Sequence, residues 1–220
     1  MPSARKAVVR ELAGLRFAGH LRPFDGVLGW DGEHAEVHLD DVELERAEAG
    51  GSRFSESAFT GVTFAGGAFE RVRLDDVWIA RSRWIGGSWA DAQLVDVTIL
   101  DGGLAGVQAF GSYWRRVVVS GCKVDSLNLR GAKLQDVEFR DCDLSEVDFG
   151  GASLINVSFP GSAVRRGRFS KVTAKKVDFR GARELDVAEG WDSLRGAVLD
   201  AGQLAEVAPQ LAQVLGLVIR

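Results

Sequence analysis

The chain has 220 residues, of which 46% are hydrophobic and 26% are charged, and its formal net charge at pH 7 is −4. These values exclude a disordered chain and predict one soluble domain. Two cysteines are too few for a disulfide framework or a cysteine-based zinc site. Charges interrupt the stretch "MPSARKAVVRELAG" and no segment approaches a membrane span, so we expect a cytoplasmic protein without a signal peptide.

The first residues of the chain follow no regular pattern. Phe17, Phe24 and Trp30 stand among Gly and Asp, and "SARKAVVREL" has the composition of a short basic helix. We therefore expect an irregular N-terminal cap over residues 1–36.

The histidines are the first candidates for a metal site. In "HAEVH", His34 and His38 have the i, i+4 spacing of a zinc pair, and His20 is the only other histidine. However, the glutamate that follows the first His directly in zinc-peptidase motifs is missing. We therefore predict no metal site.

The central feature is a five-residue period. From Leu39 to Phe179, an apolar residue, here called a centre, recurs every five positions without interruption, 29 times in all. Because side chains alternate along an extended chain, the centre and the small or apolar residue two places before it point to the same side. The chain must then turn before the next pair. Glycine recurs two places after the centre, where a corner requires positive φ, at Gly61, Gly66, Gly86, Gly106, Gly111, Gly121, Gly131, Gly151, Gly161 and Gly181.

The repeat has a recognisable consensus. "CDLSE" at 142–146 and "VDFGG" at 147–151 resemble the pentapeptide-repeat family, in which a small residue, Asp or Asn, and Leu or Phe precede two polar residues. The resemblance implies an all-β fold, a right-handed quadrilateral β-helix with 20 residues per coil, over residues 37–183. In such a coil Cys122 and Cys142 would stack facing inward, and we interpret them as reduced core cysteines.

Charge is arranged along the coils. Under a 20-residue coil, four acids share one outward column that Arg116 interrupts: Glu56, Asp76, Asp96 and Asp136. Stacked carboxylates repel each other, and a line of negative charge imitates a nucleic-acid backbone. Arg53 and Arg73 lie on the other edge of the same face. The alternative is therefore that they neutralise the acids and that the surface is purely structural. The column is our candidate partner-binding site.

Two other surfaces are candidates for binding. Outward positions Trp78, Leu100 and Val118 form an apolar patch, which either binds a partner or is covered by the N-terminal segment. Residues 164–183 carry eight bases and one acid, whereas residues 24–101 carry 16 acids and six bases. A further hypothesis is that the band binds nucleic acid, through Arg165, Arg166, Arg168, Lys171, Lys175 and Lys176. We do not expect the basic band to bind nucleic acid directly.

The repeat falters at Glu184 and Glu189, and residues 184–220 form a coil plus a helix. Asp200 is the predicted N-cap and Gly216 the predicted stop, while Pro209 kinks the helix or starts a second one. Apolar residues follow helical spacing at Leu204, Val207, Leu211, Val214 and Leu215. This tail is similar to the C-terminal module with which quinolone-resistance pentapeptide-repeat proteins dimerise, which implies a homodimer. The alternative is a monomer with a capping helix.

No catalytic constellation is present in the sequence. No Ser or Cys nucleophile has an evident base, so we predict a protein that is not an enzyme and has no cofactor. The mycobacterial and Qnr-type quinolone-resistance proteins are bacterial DNA mimics that bind DNA gyrase or topoisomerase IV. The resemblance implies that role here, although the unbroken register leaves no room for Qnr-type loops and the basic band departs from the pattern. The alternative is a structural or adaptor scaffold with an unrelated protein partner.

Overall fold

The described residues, 11–217 of a computed structural model, form a parallel β solenoid followed by one α-helix. Consecutive centres lie on consecutive sides of the coil, and Phe54, Phe59, Phe64 and Phe69 define faces 1, 2, 3 and 4. Strand residues pair with the residue 20 positions later, so that five-residue sides return to the same face after four steps. This register confirms the four-sided β-helix that the resemblance implies.

Faces 1 and 2 belong to one sheet and face 3 to another, whereas face 4 is joined by single bridges. The strands of faces 1 and 2 are Arg22–Pro23, Glu33–Ala35, Val37–Asp40, Arg53–Thr60, Arg73–Ala80, Gln93–Val95, Thr98–Leu100, Tyr113–Ser120, Lys133–Arg140, Ser153–Ser158 and Thr173–Asp178. Those of face 3 are Glu43–Glu45, Thr63–Ala65, Arg83–Ile85, Gly103–Ala105, Lys123–Asp125, Asp143–Ser145, Ala163–Arg168 and Glu184–Glu189. Short 3-10 helices occur at Leu12–Gly14, Ala18–His20 and Trp191–Ser193.

The corners have one backbone conformation. Every residue two places after a centre, from Asp41 to Gly181, has positive φ. Glycine fills fewer than half of these positions, and Asp, Arg, Glu and Lys fill most of the others. The left-handed conformation costs a residue other than glycine about 1–2 kcal/mol, so the packing of the coil overrides local preference at these corners.

The core is a single file of inward side chains. Centres stack on the centre one coil away, as in Phe64 on Trp84 with ring centroids 4.6 Å apart and Phe149 on Phe169 at 4.8 Å. Cys122 and Cys142 are buried free thiols. The Sγ atom of Cys142 lies 3.4 Å from the carbonyl oxygen of Val119, which it reaches as a weak donor.

Different elements close the two ends of the solenoid. At the N-terminal end, Phe24 and Leu28 pack against the core, and His34 occupies an inward centre and stacks on Phe54 at 4.6 Å. At the other end, the pairing of Val164 with Leu185 shows that one extra residue has entered the coil. Leu185 thereby takes the inward position that the strict period assigns to Glu184.

The C-terminal helix spans Ala201–Val214 and confirms the predicted helix. Asp200 and Gln203 form a reciprocal capping box, and Pro209 lies within the helix rather than starting a second one. At the other terminus Gly216 has a φ of 70° and donates its N–H to Gln213, which closes the helix as predicted. The Gln203 side chain also donates to the carbonyl oxygens of Phe179 at 2.6 Å and of Ala182 at 3.1 Å, so the helix is hydrogen-bonded to the coil that it covers.

Paired strands extend beyond the predicted repeat on both sides, from Glu33–Ala35 to Glu184–Glu189. The boundaries at 36/37 and 183/184 stay a prediction. Most of the predicted basic helix "SARKAVVREL" lies outside the described residues.

Candidate interaction surfaces

The acidic column lies on the corner between faces 1 and 2. Its four predicted members have φ between 48° and 57° and follow one another at 20-residue spacing: Glu56, Asp76, Asp96 and Asp136. Glu36 has the same conformation and lies one coil before Glu56. The sequence reasoning missed Glu36 because it assigned that residue to the cap, although one more step of 20 would have reached it. The column therefore has acids in four consecutive coils before Arg116.

Three side chains contact predicted acids of the column, two by ion pairs and one by a hydrogen bond. Arg116 binds both carboxylate oxygens of Asp96, and these hydrogen bonds raise the pKa of the guanidinium. Arg16, from the N-terminal segment, lies 3.7 Å from Asp76. Asn156 donates its amide to Asp136 at 2.6 Å.

The sequence suggested that Arg53 neutralises the acidic column, but in the structure Arg53 pairs with an acid outside the column. Arg53 pairs with Asp75 on face 1 at 2.9 Å. Glu56 is exposed and makes no ion pair within residues 11–217. Within the described residues, Glu56 is thus a column acid without an ion pair, whereas Asp76 and Asp96 are paired with arginines.

The predicted apolar patch is covered. Trp78, Leu100 and Val118 are all buried, although their side chains point away from the solenoid core. Phe17, from the N-terminal segment, packs in one apolar cluster with Trp78 and Leu100. The structure thus places the segment over the patch, which was one of the two interpretations of these residues.

The basic band is partly paired with acids of neighbouring coils. Arg165 contacts Asp143 at 3.3 Å and Glu184 at 2.7 Å, and Arg183 also binds Asp143. The hydrogen bond from Arg183 holds the pKa of Asp143 below its ordinary value. Arg166 pairs with Glu146 at 3.2 Å. The remaining cations make no ion pair within the described part of the chain: Arg168, Lys171, Lys175 and Lys176.

The C-terminal helix has a buried face and an exposed one. Val207 is buried against the last coil and Leu211 is half-buried beside it. Leu204, Val214 and Leu215 are 52%, 54% and 73% exposed. The five predicted helix residues are therefore divided between covering the solenoid and facing outward.

The histidine pair is separated by the fold. His34 faces inward, where burial lowers its pKa, and His38 lies beside the Thr60 hydroxyl at 2.9 Å. No group of three or more His, Cys, Asp or Glu side chains in residues 11–217 is arranged to hold a metal ion. Within the same residues, no helix is long and apolar enough to cross a membrane.

Comparisons with known proteins identify the repeat. A family model, "Pentapeptide repeats", matches residues 125–161 with eight copies, and it confirms the resemblance of the sequence motifs. No curated protein matches the chain.

Three solved structures illustrate what the fold is similar to. A trypsin-treated form of QnrB1, a plasmid-mediated fluoroquinolone resistance protein, is 17% identical, with 89% of this chain and 100% of that chain covered and a TM-score of 0.37. HetL from Nostoc sp. strain PCC 7120, involved in heterocyst differentiation regulation, is 15% identical, with coverages of 79% and 91% and a TM-score of 0.32. Rfr23 from Cyanothece 51142 is 12% identical, with coverages of 73% and 91% and a TM-score of 0.22.

Proposed function

We propose that this chain, whose residues 125–161 match the pentapeptide-repeat family model, works without catalysis, as a rigid charged surface that another macromolecule binds. In its specific form, the proposal is DNA mimicry towards a type II topoisomerase such as DNA gyrase, which would modulate quinolone action. It assigns the protein to the cytoplasm, where that enzyme acts.

The acidic column carries this proposal. Parallel strands follow each other at about 4.8 Å, and B-DNA carries a phosphate about every 3.4 Å of helix axis on each strand, so the two charge spacings are of the same order. Glu36, Glu56, Asp76 and Asp96 supply carboxylates in four consecutive coils. The solenoid backbone holds them in a line, so binding costs little ordering of the acidic surface.

The test compares gyrase supercoiling in the presence of wild type and of a neutralised variant. The variant is Glu56→Gln with Asp76→Asn, Asp96→Asn and Asp136→Asn, because Asn tolerates the left-handed corner better than Ala does. We expect wild type to inhibit supercoiling and the variant to be at least about tenfold weaker, since removing like-signed charges slows and weakens association.

A matched control removes the same charge elsewhere. Asp41, Asp91, Asp101 and Asp141 also have positive φ but lie on other corners, and all four are changed to Asn. This control should inhibit like wild type. If it is as weak as the column variant, net charge rather than the column is responsible. If wild type neither inhibits gyrase nor shields it from quinolones, the topoisomerase proposal is abandoned.

We also propose that two copies pair through the exposed side of the C-terminal helix. The last coil is already covered by Val207 and Gln203, so the outward Leu204 and Leu215 are left for a second copy. Leu204→Glu with Leu215→Glu should convert a dimer to a monomer in light scattering coupled to gel filtration. Ala205→Glu with Gln213→Glu, also exposed on the helix, should leave the dimer intact. Wild type that is a monomer at all accessible concentrations would contradict the proposal.

A further inference from the structure

A second apolar cluster lies outside the solenoid, on the outer side of face 2. It consists of Phe17, Ala58, Trp78, Ala80 and Leu100, with Leu12, Leu15 and Leu21 packed against it. We call residues 11–21 the strap and the four outward residues from Ala58 to Leu100 the strap-binding face. None of these residues belongs to the inner core cluster, so the β wall separates the two clusters.

The strap is attached to the coil mainly by its side chains. Its described backbone hydrogen bonds are internal, such as those from Gly14 to Glu11 and from His20 to Phe17. Among residues 11–217, backbone bonding to a coil begins at Arg22, which donates to the Glu36 carbonyl at 2.8 Å. Within the described residues, the backbone of the strap is therefore not hydrogen-bonded to a coil.

Two basic side chains of the strap contact acids of the column. Arg16 lies 3.7 Å from Asp76, and His20 lies 3.4 Å from Glu36, with both basic side chains largely exposed. Exposed pairs of this kind contribute little to stability. Both carboxylates belong to the acidic column, so the strap covers the apolar face and its Arg16 also offsets charge at Asp76.

We propose that the strap-binding face is a docking site for an apolar and basic segment of a partner protein, and that the strap is its intramolecular occupant. The strap defines the chemistry of the partner: large apolar side chains at the spacing of Leu12, Leu15 and Phe17, with a base next to the last of them. Such a segment would bury the same apolar surface and pair with Asp76. This inference does not depend on topoisomerase binding.

The test uses the full chain with Phe17→Asp, which places a charge in the apolar cluster and releases the strap. The probe is a fluorescein-labelled peptide with the sequence of residues 11–21, and binding is measured by fluorescence anisotropy. The variant should bind it at least about tenfold more tightly than wild type, because the docked strap reduces the fraction of wild type that is competent to bind. A peptide carrying the same Phe-to-Asp change should not bind.

Two further variants make the outcome decisive. Phe110→Asp introduces the same charge at an exposed phenylalanine on face 4 and should not increase peptide binding. Phe17→Asp combined with Trp78→Asp should lose binding, because the docking face itself is altered. Equal binding with and without Trp78→Asp, or no saturable binding to Phe17→Asp, would overturn the proposal. Unfolding of Phe17→Asp would also overturn it, since a separable strap must leave the solenoid folded.

The same experiment distinguishes the source of the docking segment. The Phe17→Asp variant and wild type are mixed with Leu204→Glu and Leu215→Glu present in both, which removes pairing through the helix. If light scattering then shows a mixed dimer that Trp78→Asp abolishes, the wild-type strap docks on a second copy. That result would replace the partner protein with strap exchange and would overturn the assignment of the site to another protein.

Discussion

Phe139→Ala is expected to lower the free energy of unfolding by about 3–5 kcal/mol, the range for truncating a fully buried phenylalanine. Phe139 is buried within the file of inward side chains, with its ring centroid 5.5 Å from that of Phe159 and 6.4 Å from that of Trp114. The paired strands of faces 1 to 3 and the bridges of face 4 enclose the site, so neighbouring coils cannot collapse into the cavity without breaking their register. Urea unfolding followed by far-UV circular dichroism measures the change.

The matched control is Phe110→Ala, the same truncation at a residue directly after a centre. Phe110 is 46% exposed, so its loss should change the unfolding free energy by less than about 0.5 kcal/mol. Each coil contacts mainly its neighbours, so the Phe139 defect should also loosen adjacent coils before the distant ones. Equal unfolding of Phe139→Ala and wild type would show that the assigned inward register is wrong.

Gly190→Ala is expected to cost about 3 kcal/mol or more, by combining strain at positive φ with backbone overlap. Gly190 has a φ of 93°, and a Cβ there would overlap the carbonyl group of Phe169 and the amide nitrogen of Ser170. Backbone atoms cannot move aside as the end of a flexible side chain can. The neighbouring hydrogen bond from Phe169 to Glu189, at 2.8 Å, joins two coils and would be disturbed.

Gly181→Ala separates the two causes of this effect. Gly181 has a φ of 78° but no atom within 4 Å of an added Cβ, so it carries the conformational strain alone. We expect a loss of about 1–2 kcal/mol there. Thermal and urea unfolding of both variants give the comparison. If Gly190→Ala is no worse than Gly181→Ala, the backbone of Phe169 and Ser170 does not approach Gly190 as closely as the structure places it.

The corners and the inward side chains were predictable from the five-residue period, whereas the four-sided coil was implied only by the resemblance to the pentapeptide-repeat family. Five-residue spacing from Leu39 to Phe179 determines which side chains point inward, and a shift of one residue would expose the apolar centres. The helix at Ala201–Val214 was equally predictable, because Asp200 and Gly216 mark its two ends. The positive φ of the Arg and Lys residues at corners was not predictable, because neither residue type favours that conformation.

The candidate surfaces depended on segments that are distant in sequence. The 20-residue spacing places the acids in one column. Only tertiary packing brings Arg16 to Asp76, which lies 60 positions later in the chain. The sequence identified Trp78 and Leu100 as outward apolar residues and left open what covers them. The structure brings Phe17 to them.

By itself, the sequence determined the corners, the inward and outward residues and the C-terminal helix, because the repeat and the helix caps are local and periodic signals, and the resemblance of the repeat added the four-sided coil. Only the tertiary structure decided which charges are paired, that one extra residue places Leu185 inward, and that the strap covers face 2. These features arise where the period ends, and there burial and ion pairing with distant residues determine the arrangement.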